Sequence, residues 1–310
     1  SDETEDTYVM KACFTNENNI TIRIFYGNVT EEIGYVSVEG SEPKRKETFN
    51  CVKYKLILGL TATFERLDGK KILLYNFACH PTVTGPENLM ITADFPYAVE
   101  RDLDYDMVMF VNSNAGNIST RFTRINSSFE QVEIHKTRII RGILNALKSP
   151  VYQGNFSDIS MKRYPITLPI KKVRSVMEEK AALTSYEENL EKAVAAGKDA
   201  LTLRLLSTYV EGGKIAVGLS KALQGLEEIT AHFTIMKLQG ITIAVVPGEL
   251  FSTLGVPLKQ EGIEIFGYGN GYYLYLADEK SYDDMVYEAM SSPFRKGVGE
   301  FLVNEIRKCR

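Results

Sequence analysis

The strongest constraint on this chain is a pattern that recurs along it: an apolar run of strand length, a breaker, and a polar side chain at the tip. Residues 72–78 read as a buried strand that closes in Cys79-His80-Pro81-Thr82, so an imidazole arrives where Pro81 stops the ladder. Residues 241–246 repeat the arrangement and end in Pro247-Gly248-Glu249, which delivers a carboxylate. Residues 263–266 lead into Gly267-Tyr268-Gly269-Asn270-Gly271-Tyr272-Tyr273-Leu274-Tyr275, and residues 107–111 into the small, amide-rich stretch 112–121 that holds Asn117 and Ser119. Helical spacing separates these strands, after residue 129, after residue 185 and near the C-terminus. The pattern implies an α/β (α+β) chain, a mixed β-sheet core flanked by helices with active-site residues at strand ends.

Other elements follow from local chemistry. Residues 8–14 and 20–26 read as paired strands, and residues 52–64 pair with the strand before His80 through the Asp68-Gly69 turn. A short helix is expected over 97–103, and Ser127 or Ser128 caps the helix that begins near Phe129. Pro165 and Pro169 make residues 159–170 an edge strand. Ser185-Tyr186-Glu187-Glu188 has the form of a capping box, with Gly212-Gly213 closing its helix. A hairpin turns at Gly240, and Ser292-Pro293 opens a last helix with Phe294, Val298, Phe301, Leu302 and Ile306 on its inner face. Residues 1–7 and 34–48 read as polar, exposed segments. With no repeat and no break in composition, residues 1–310 read as one continuous domain.

The function classes narrow with composition. A net charge of −4 and a pI near 5.6 leave no basic stripe for nucleic acid. No apolar run reaches bilayer length, and the four cysteines show no metal-finger spacing. Of the three histidines, His135 borders the apolar face of its helix and His232 lies on a polar strand face, both ordinary structural places. His80 by itself fits a core histidine at a sheet edge, and Glu249 fits a helix N-terminus that pairs with the macrodipole. Brought together with a further oxygen donor, they make a zinc shell with a position open for water. Zinc would bring the pKa of that water toward neutrality and polarise a carbonyl.

The motifs that carry these residues resemble those of neutral/alkaline non-lysosomal ceramidases. Asn76-Phe-Ala-Cys-His-Pro-Thr82, Ala93-Asp-Phe-Pro96, Asn114-Ala-Gly-Asn-Ile-Ser119, Val246-Pro-Gly-Glu249 and Asn270-Gly-Tyr-Tyr-Leu-Tyr275 with Tyr287-Glu-Ala289 stand in the family's order. The resemblance covers most of residues 50–310 and implies a zinc-dependent amidase that cleaves an N-acyl bond of a lipid-like substrate, typically ceramide. Carried over, His80, Glu249 and Tyr275 are zinc ligands; Tyr275 takes this place over Tyr272 by its distance from Asn270. Ser119, with Asn117 near it, contacts the reacting centre, and Tyr287 contacts the substrate amide or the oxyanion. Asp94 and Tyr272 stand behind the ligands and orient them.

The chain departs from the family in three places. The family's upstream Thr-His-x-His-Ser-Gly motif, which supplies a first zinc histidine, is absent. Thr120 follows Ser119 where the family has proline, and the family's Asn-Arg pair is missing from residues 27–36. A zinc site short of one histidine is expected to be partly occupied or empty. Three readings follow: an amidase completed by a second polypeptide, so that this chain is one piece of a split hydrolase; an amidase with three protein ligands; or a catalytically inactive ceramidase-like binding protein. Ser119 as a nucleophile is weaker still, because no Gly-x-Ser-x-Gly elbow surrounds it.

Overall fold

The computed structural model describes residues 9–14, 20–30, 55–65, 70–148, 152–155, 159–238 and 240–310. The Asp68-Gly69 turn and the polar segments 1–7 and 34–48 lie outside them. The chain groups into two compact units whose segments interleave. The first holds residues 1–77, 81–111 and 119–157, and the second holds 78–80, 112–118 and 158–310. Two short excursions, 78–80 and 112–118, thus leave the first unit to become part of the second.

The first unit is built on a six-stranded sheet. Its strands are β1 (Val9–Phe14), β2 (Ile20–Thr30), β3 (Lys55–Glu65), β4 (Lys71–Phe77), β5 (Met107–Asn112) and β6 (Tyr152–Asn155), in the order β1-β6-β2-β3-β4-β5. The sheet is mixed: β1 runs antiparallel to β2 and parallel to β3 and β6. As expected from the Asp68-Gly69 turn signal, β3 and β4 pair antiparallel, with Thr61 opposite Tyr75 and Thr63 opposite Leu73. Helix α1 (Asp94–Asp102) begins three residues earlier than its apolar spacing implied, and it packs on α2 (Phe129–Ala146). Of the two candidate caps, Ser128 accepts from the Gln131 amide. The buried Tyr75, Phe77 and Phe95 and the half-buried Phe110 form an aromatic set with ring centroids 5.4–5.9 Å apart, which joins the sheet to α1.

The second unit carries a four-stranded sheet of β7 (Ile159–Pro169), β8 (Glu228–Leu238), β9 (Ile241–Val245) and β11 (Ile263–Phe266), in the order β11-β9-β8-β7. Its two prolines leave β7 at the edge, and β8 and β9 turn at Gly240, whose φ of 86° is left-handed. Between β9 and β11 lie the short strand β10 (Glu249–Leu250) and helix α5 (Ser252–Gln260). After β11 come β12 (Tyr275–Leu276), α6 (Glu279–Asp283), α7 (Tyr287–Ser291) and α8 (Val298–Lys308). Ile166, Leu168, Phe233, Ile235, Phe251, Leu258, Ile265 and Leu302 are buried in one core between this sheet and helices α5 and α8.

The helical hairpin of this unit departs from the sequence reading. Ser185 does not open a helix; it lies inside α3 (Val176–Ala195), whose capping box is Ser175 with Glu178. The chain breaks instead at Gly197, and α4 (Ala200–Leu223) runs straight through Gly212-Gly213. These glycines do not stop the helix because their use is steric. A Cβ on Gly212 would meet Met290 at 3.0 Å and one on Gly213 would meet Tyr186 at 3.1 Å, so they let α4 pack close to α3 and α7. Helix α8 likewise starts at Val298 rather than at Pro293, since Phe294 is held in a β-bridge with Ile170. Its Phe301, expected inside, is 41% exposed.

Candidate metal centre

The second unit brings the strand tips together through backbone pairing. Strand β10 lies parallel to β12 with Glu249 opposite Tyr275, so a carboxylate and a phenol start from neighbouring backbones about 4.8 Å apart. Glu249 is therefore a strand residue rather than a helix N-terminal one, since α5 begins at Ser252. His80 enters on the 78–80 excursion. Its backbone N–H donates to the Ile118 carbonyl at 2.9 Å, and the Cys79 N–H donates to Asn112 Oδ1 at 3.3 Å. The 112–118 excursion is docked in turn by Gly116, whose N–H donates to the Leu250 carbonyl at 2.9 Å.

These anchors place His80 Nε2 3.0 Å from Glu249 Oε2. Glu249 is 3% exposed. Its other oxygen, Oε1, accepts from the Tyr272 hydroxyl, while Oε2 is the oxygen that faces His80 Nε2. The Tyr275 ring lies edge-on to His80, with centroids 6.3 Å apart, and edge-on to Tyr287 at 6.1 Å. His80, Glu249, Tyr272, Tyr275 and Tyr287 thus gather in one cluster from segments far apart in the chain.

Tyr268 completes the cluster and was not singled out from the sequence. Its hydroxyl is 3.4 Å from His80 Nδ1, and its ring stacks on Tyr272 with centroids 5.9 Å apart. The loop that carries it is unusual. Tyr268, Asn270 and Leu274 all have φ between 60° and 64°, a left-handed conformation that costs a non-glycine residue about 1–2 kcal/mol. Asn270 holds the loop in place by accepting from Thr234 Oγ1 at 3.2 Å and donating to the Val245 carbonyl at 3.4 Å. Strain kept in this way by surrounding bonds is a mark of functional loops. A large side chain between two glycines was the available signal.

The electrostatics are those of phenols gathered around a buried carboxylate. Burial, and next the Glu249 charge, push the Tyr268 and Tyr275 phenols well above their ordinary pKa. Burial and the hydrogen bond to Glu249 do the same for Tyr272. Without a cation all three hydroxyls stay protonated at neutral pH.

The donor set fits zinc. Adjacent ligands on a tetrahedral ion with bonds of about 2.0–2.1 Å lie about 3.3 Å apart, close to the 3.0 Å between His80 Nε2 and Glu249 Oε2. A buried carboxylate oxygen facing an imidazole nitrogen at this spacing is a pair that a cation would bridge. No three His, Cys, Asp or Glu side chains form a cation-holding group among the described residues, so a third protein donor to a cation here would come from a phenol.

The remaining sequence candidates have local bonds of their own. Asn117 is exposed, and its Oδ1 accepts from the Ser252 N–H at 2.8 Å, which ties the 112–118 excursion to the start of α5. Ser119 is half-buried in the first unit, where it caps a 3-10 turn at Thr120–Phe122. Asp94, also in the first unit, accepts from Thr84 N at 2.8 Å, Thr84 Oγ1 at 2.9 Å and Phe95 N at 2.8 Å, and so clamps the loop after His80 to α1. His135 is buried between Thr123 Oγ1 (2.9 Å) and the Gln131 carbonyl (2.8 Å), with burial lowering its pKa. It is structural, as its place on the helix suggested.

Comparison with known structures bears on the fold. No family model matches the sequence, and no curated protein does. Among solved structures, the neutral ceramidase from Pseudomonas aeruginosa superposes with a TM-score of 0.54 at 14% identity, over 92% of this chain and 51% of that one. A ceramidase complexed with C2 superposes with the same TM-score at 12% identity, over 92% and 52%. The chain has a neutral-ceramidase-like fold and spans about half the length of these ceramidases. Among the described residues, no helix is long and apolar enough to cross a membrane.

Proposed function

We propose that this protein is a zinc-dependent amide hydrolase acting on an N-acyl, lipid-like substrate. The observation that carries the reading is the pairing of Glu249 with Tyr275 on adjacent strands, with His80 Nε2 at 3.0 Å from the Glu249 carboxylate. His80 Nε2, Glu249 Oε2 and the Tyr275 oxygen would hold the ion. When bound, zinc supplies an acidified water and polarises the acyl carbonyl. The acyl amide as substrate class rests on the ceramidase-like fold and on the motif order.

The protein's own groups divide the remaining work. Tyr272 donates to Glu249 Oε1 and thereby leaves Oε2 as the coordinating oxygen. The Tyr275 oxygen would give up its proton to hold the ion, so affinity would rise with pH. Tyr287, edge-on to Tyr275 at 6.1 Å, would donate its phenolic hydrogen to a developing oxyanion, where a fixed donor contributes about 3–4 kcal/mol.

The test combines metal analysis with turnover. The purified protein and its His80→Ala and Glu249→Ala variants are titrated with zinc, and each is assayed against N-acyl amides from ceramide to short-chain N-acyl amines. We expect the parent, partly occupied or empty as purified, to take up one zinc in the titration and release fatty acid, and each variant to lose both. Zinc binding without hydrolysis of any member would identify a binding protein built on this fold. Failure to bind zinc would overturn the reading.

A further inference from the structure

We propose that Tyr268 is a positioning residue of this centre: its hydroxyl, beside His80 Nδ1, holds the imidazole with Nε2 facing Glu249, donating to Nδ1 in one tautomer and accepting from it in the other. The inference rests on the proposed function only for its zinc arm.

The geometry is specific to the two ring nitrogens. Nε2 lies 3.0 Å from Glu249 Oε2, and Nδ1 lies 3.4 Å from the Tyr268 hydroxyl. In a neutral imidazole one nitrogen carries the proton and the other a lone pair, and the partner of one nitrogen decides the state of the other. With the proton on Nε2, the ring donates to the Glu249 carboxylate and Nδ1 needs a donor. With a cation on Nε2, the proton sits on Nδ1 and needs an acceptor. A carbonyl or carboxylate at Nδ1 would serve only the second state, and an amide N–H only the first. A phenol serves both, because it has one O–H and free lone pairs.

The protons balance across the exchange. A neutral imidazole holds one proton in either state: on loading of an ion the Nε2 proton would go to water, and Nδ1 would take one from water. Tyr268 keeps its own proton and turns it away from Nδ1 toward Glu249, which also acts on this hydroxyl. The ring need not move, since Tyr268 is held by stacking on Tyr272 and by its backbone N–H, which donates to the Gly248 carbonyl at 3.3 Å. Gly248 directly precedes Glu249, so one backbone contact fixes the distance between the positioning group and the carboxylate.

The test uses the full chain, its Tyr268→Phe variant, and Tyr272→Phe, which removes the neighbouring hydroxyl that bonds Glu249 instead. Nitrogen-15 NMR of the three histidines reads the tautomer, with His80 assigned by its loss in His80→Ala. In the metal-free protein we expect a protonated Nε2 and a hydrogen-bonded Nδ1. Tyr268→Phe should shift the Nδ1 resonance from the parent's value, and Tyr272→Phe should leave it in place. With zinc added, the proton should appear on Nδ1, and Tyr268→Phe should bind zinc about 10–100-fold more weakly. An unchanged Nδ1 resonance in Tyr268→Phe, at an unfolding midpoint close to the parent's, overturns the proposal. So does equal zinc affinity. A parent that binds no zinc refutes the proposed function, while the metal-free resonances still decide the role of Tyr268.

Discussion

Gly116 is where one added methyl group tests the assembly of the centre. A Cβ there would lie 2.4 Å from the Glu249 carbonyl oxygen and 2.8 Å from Phe251 Cδ1. Ordinary contact begins at 3.4 Å, so the Gly116→Ala backbone would have to move away from β10 by about 1.0 Å (3.4 less 2.4). Relief is difficult, because the obstacle is backbone and the loop is tied on both sides. The Gly116 N–H donates to the Leu250 carbonyl at 2.9 Å, and Asn117 Oδ1 accepts from the Ser252 N–H at 2.8 Å. Overpacking of this kind costs about 1–3 kcal/mol. If Glu249 takes up the shift instead of the loop, a misplacement near 1 Å reduces turnover by about 100-fold. Denaturant unfolding and zinc titration of Gly116→Ala measure the two effects. Gly218→Ala is the control: it lies in α4 with nothing within 4 Å of the added atom and should gain about 0.5–1 kcal/mol from helix propensity. A Gly116→Ala protein as stable as its parent, with the same zinc affinity, would refute the account of how the 112–118 excursion seats Glu249.

Three further outcomes follow from particular contacts. Gly213→Ala in α4 places a Cβ 3.1 Å from Tyr186 and 3.2 Å from Leu183, and it should destabilise by about 1 kcal/mol where a helix stop would have gained nothing from packing; thermal unfolding reads this. Lys171 donates to the Met290 carbonyl at 2.6 Å, and burial lowers its pKa to about 8. Its folded pKa is therefore below the unfolded value of about 10.4, the unfolded chain holds more protons between those values, and stability rises with pH across that window. The rise amounts to at most about 3 kcal/mol and should be absent from the pH profile of Lys171→Met. Tyr272→Phe removes the donor to Glu249 Oε1 and should weaken zinc binding about 10-fold, an effect read by competition with a chromophoric chelator.

Much of the fold was legible because it depends on short-range chemistry. The strands before His80, Glu249 and Gly267, the hairpin at Gly240 and the edge position of β7 follow from apolar runs and from where proline and glycine must fall. The helical hairpin was not legible. Ser175-Glu178 and Ser185-Glu188 are equivalent capping boxes in sequence, and only packing against Met290, Tyr186 and Leu183 shows why Gly212-Gly213 belongs inside a helix. The aromatic Phe301 fitted the inner stripe of α8 by period, yet it faces outward, because period fixes which residues share a face but not how wide the covered stripe is.

The candidate centre divides along the same line. The sequence determined which groups stand at strand ends: an imidazole stopped by Pro81, a carboxylate after Pro247-Gly248, and tyrosines on a glycine-rich loop. It also determined the pairs of donor types that suit zinc. Tertiary structure decided which of these meet. The β10–β12 register sets Glu249 against Tyr275, and the 78–80 excursion brings His80 within 3.0 Å of Glu249. It also revealed Tyr268, whose strained backbone and place beside His80 Nδ1 depend on contacts with Gly248 and Tyr272. The physical reason is range. Propensity, breakers and caps act over a few residues and are written locally. The meeting of side chains 169 positions apart (249 less 80) depends on strand register and on loops seated by single glycines, and these are settled only when the whole unit packs.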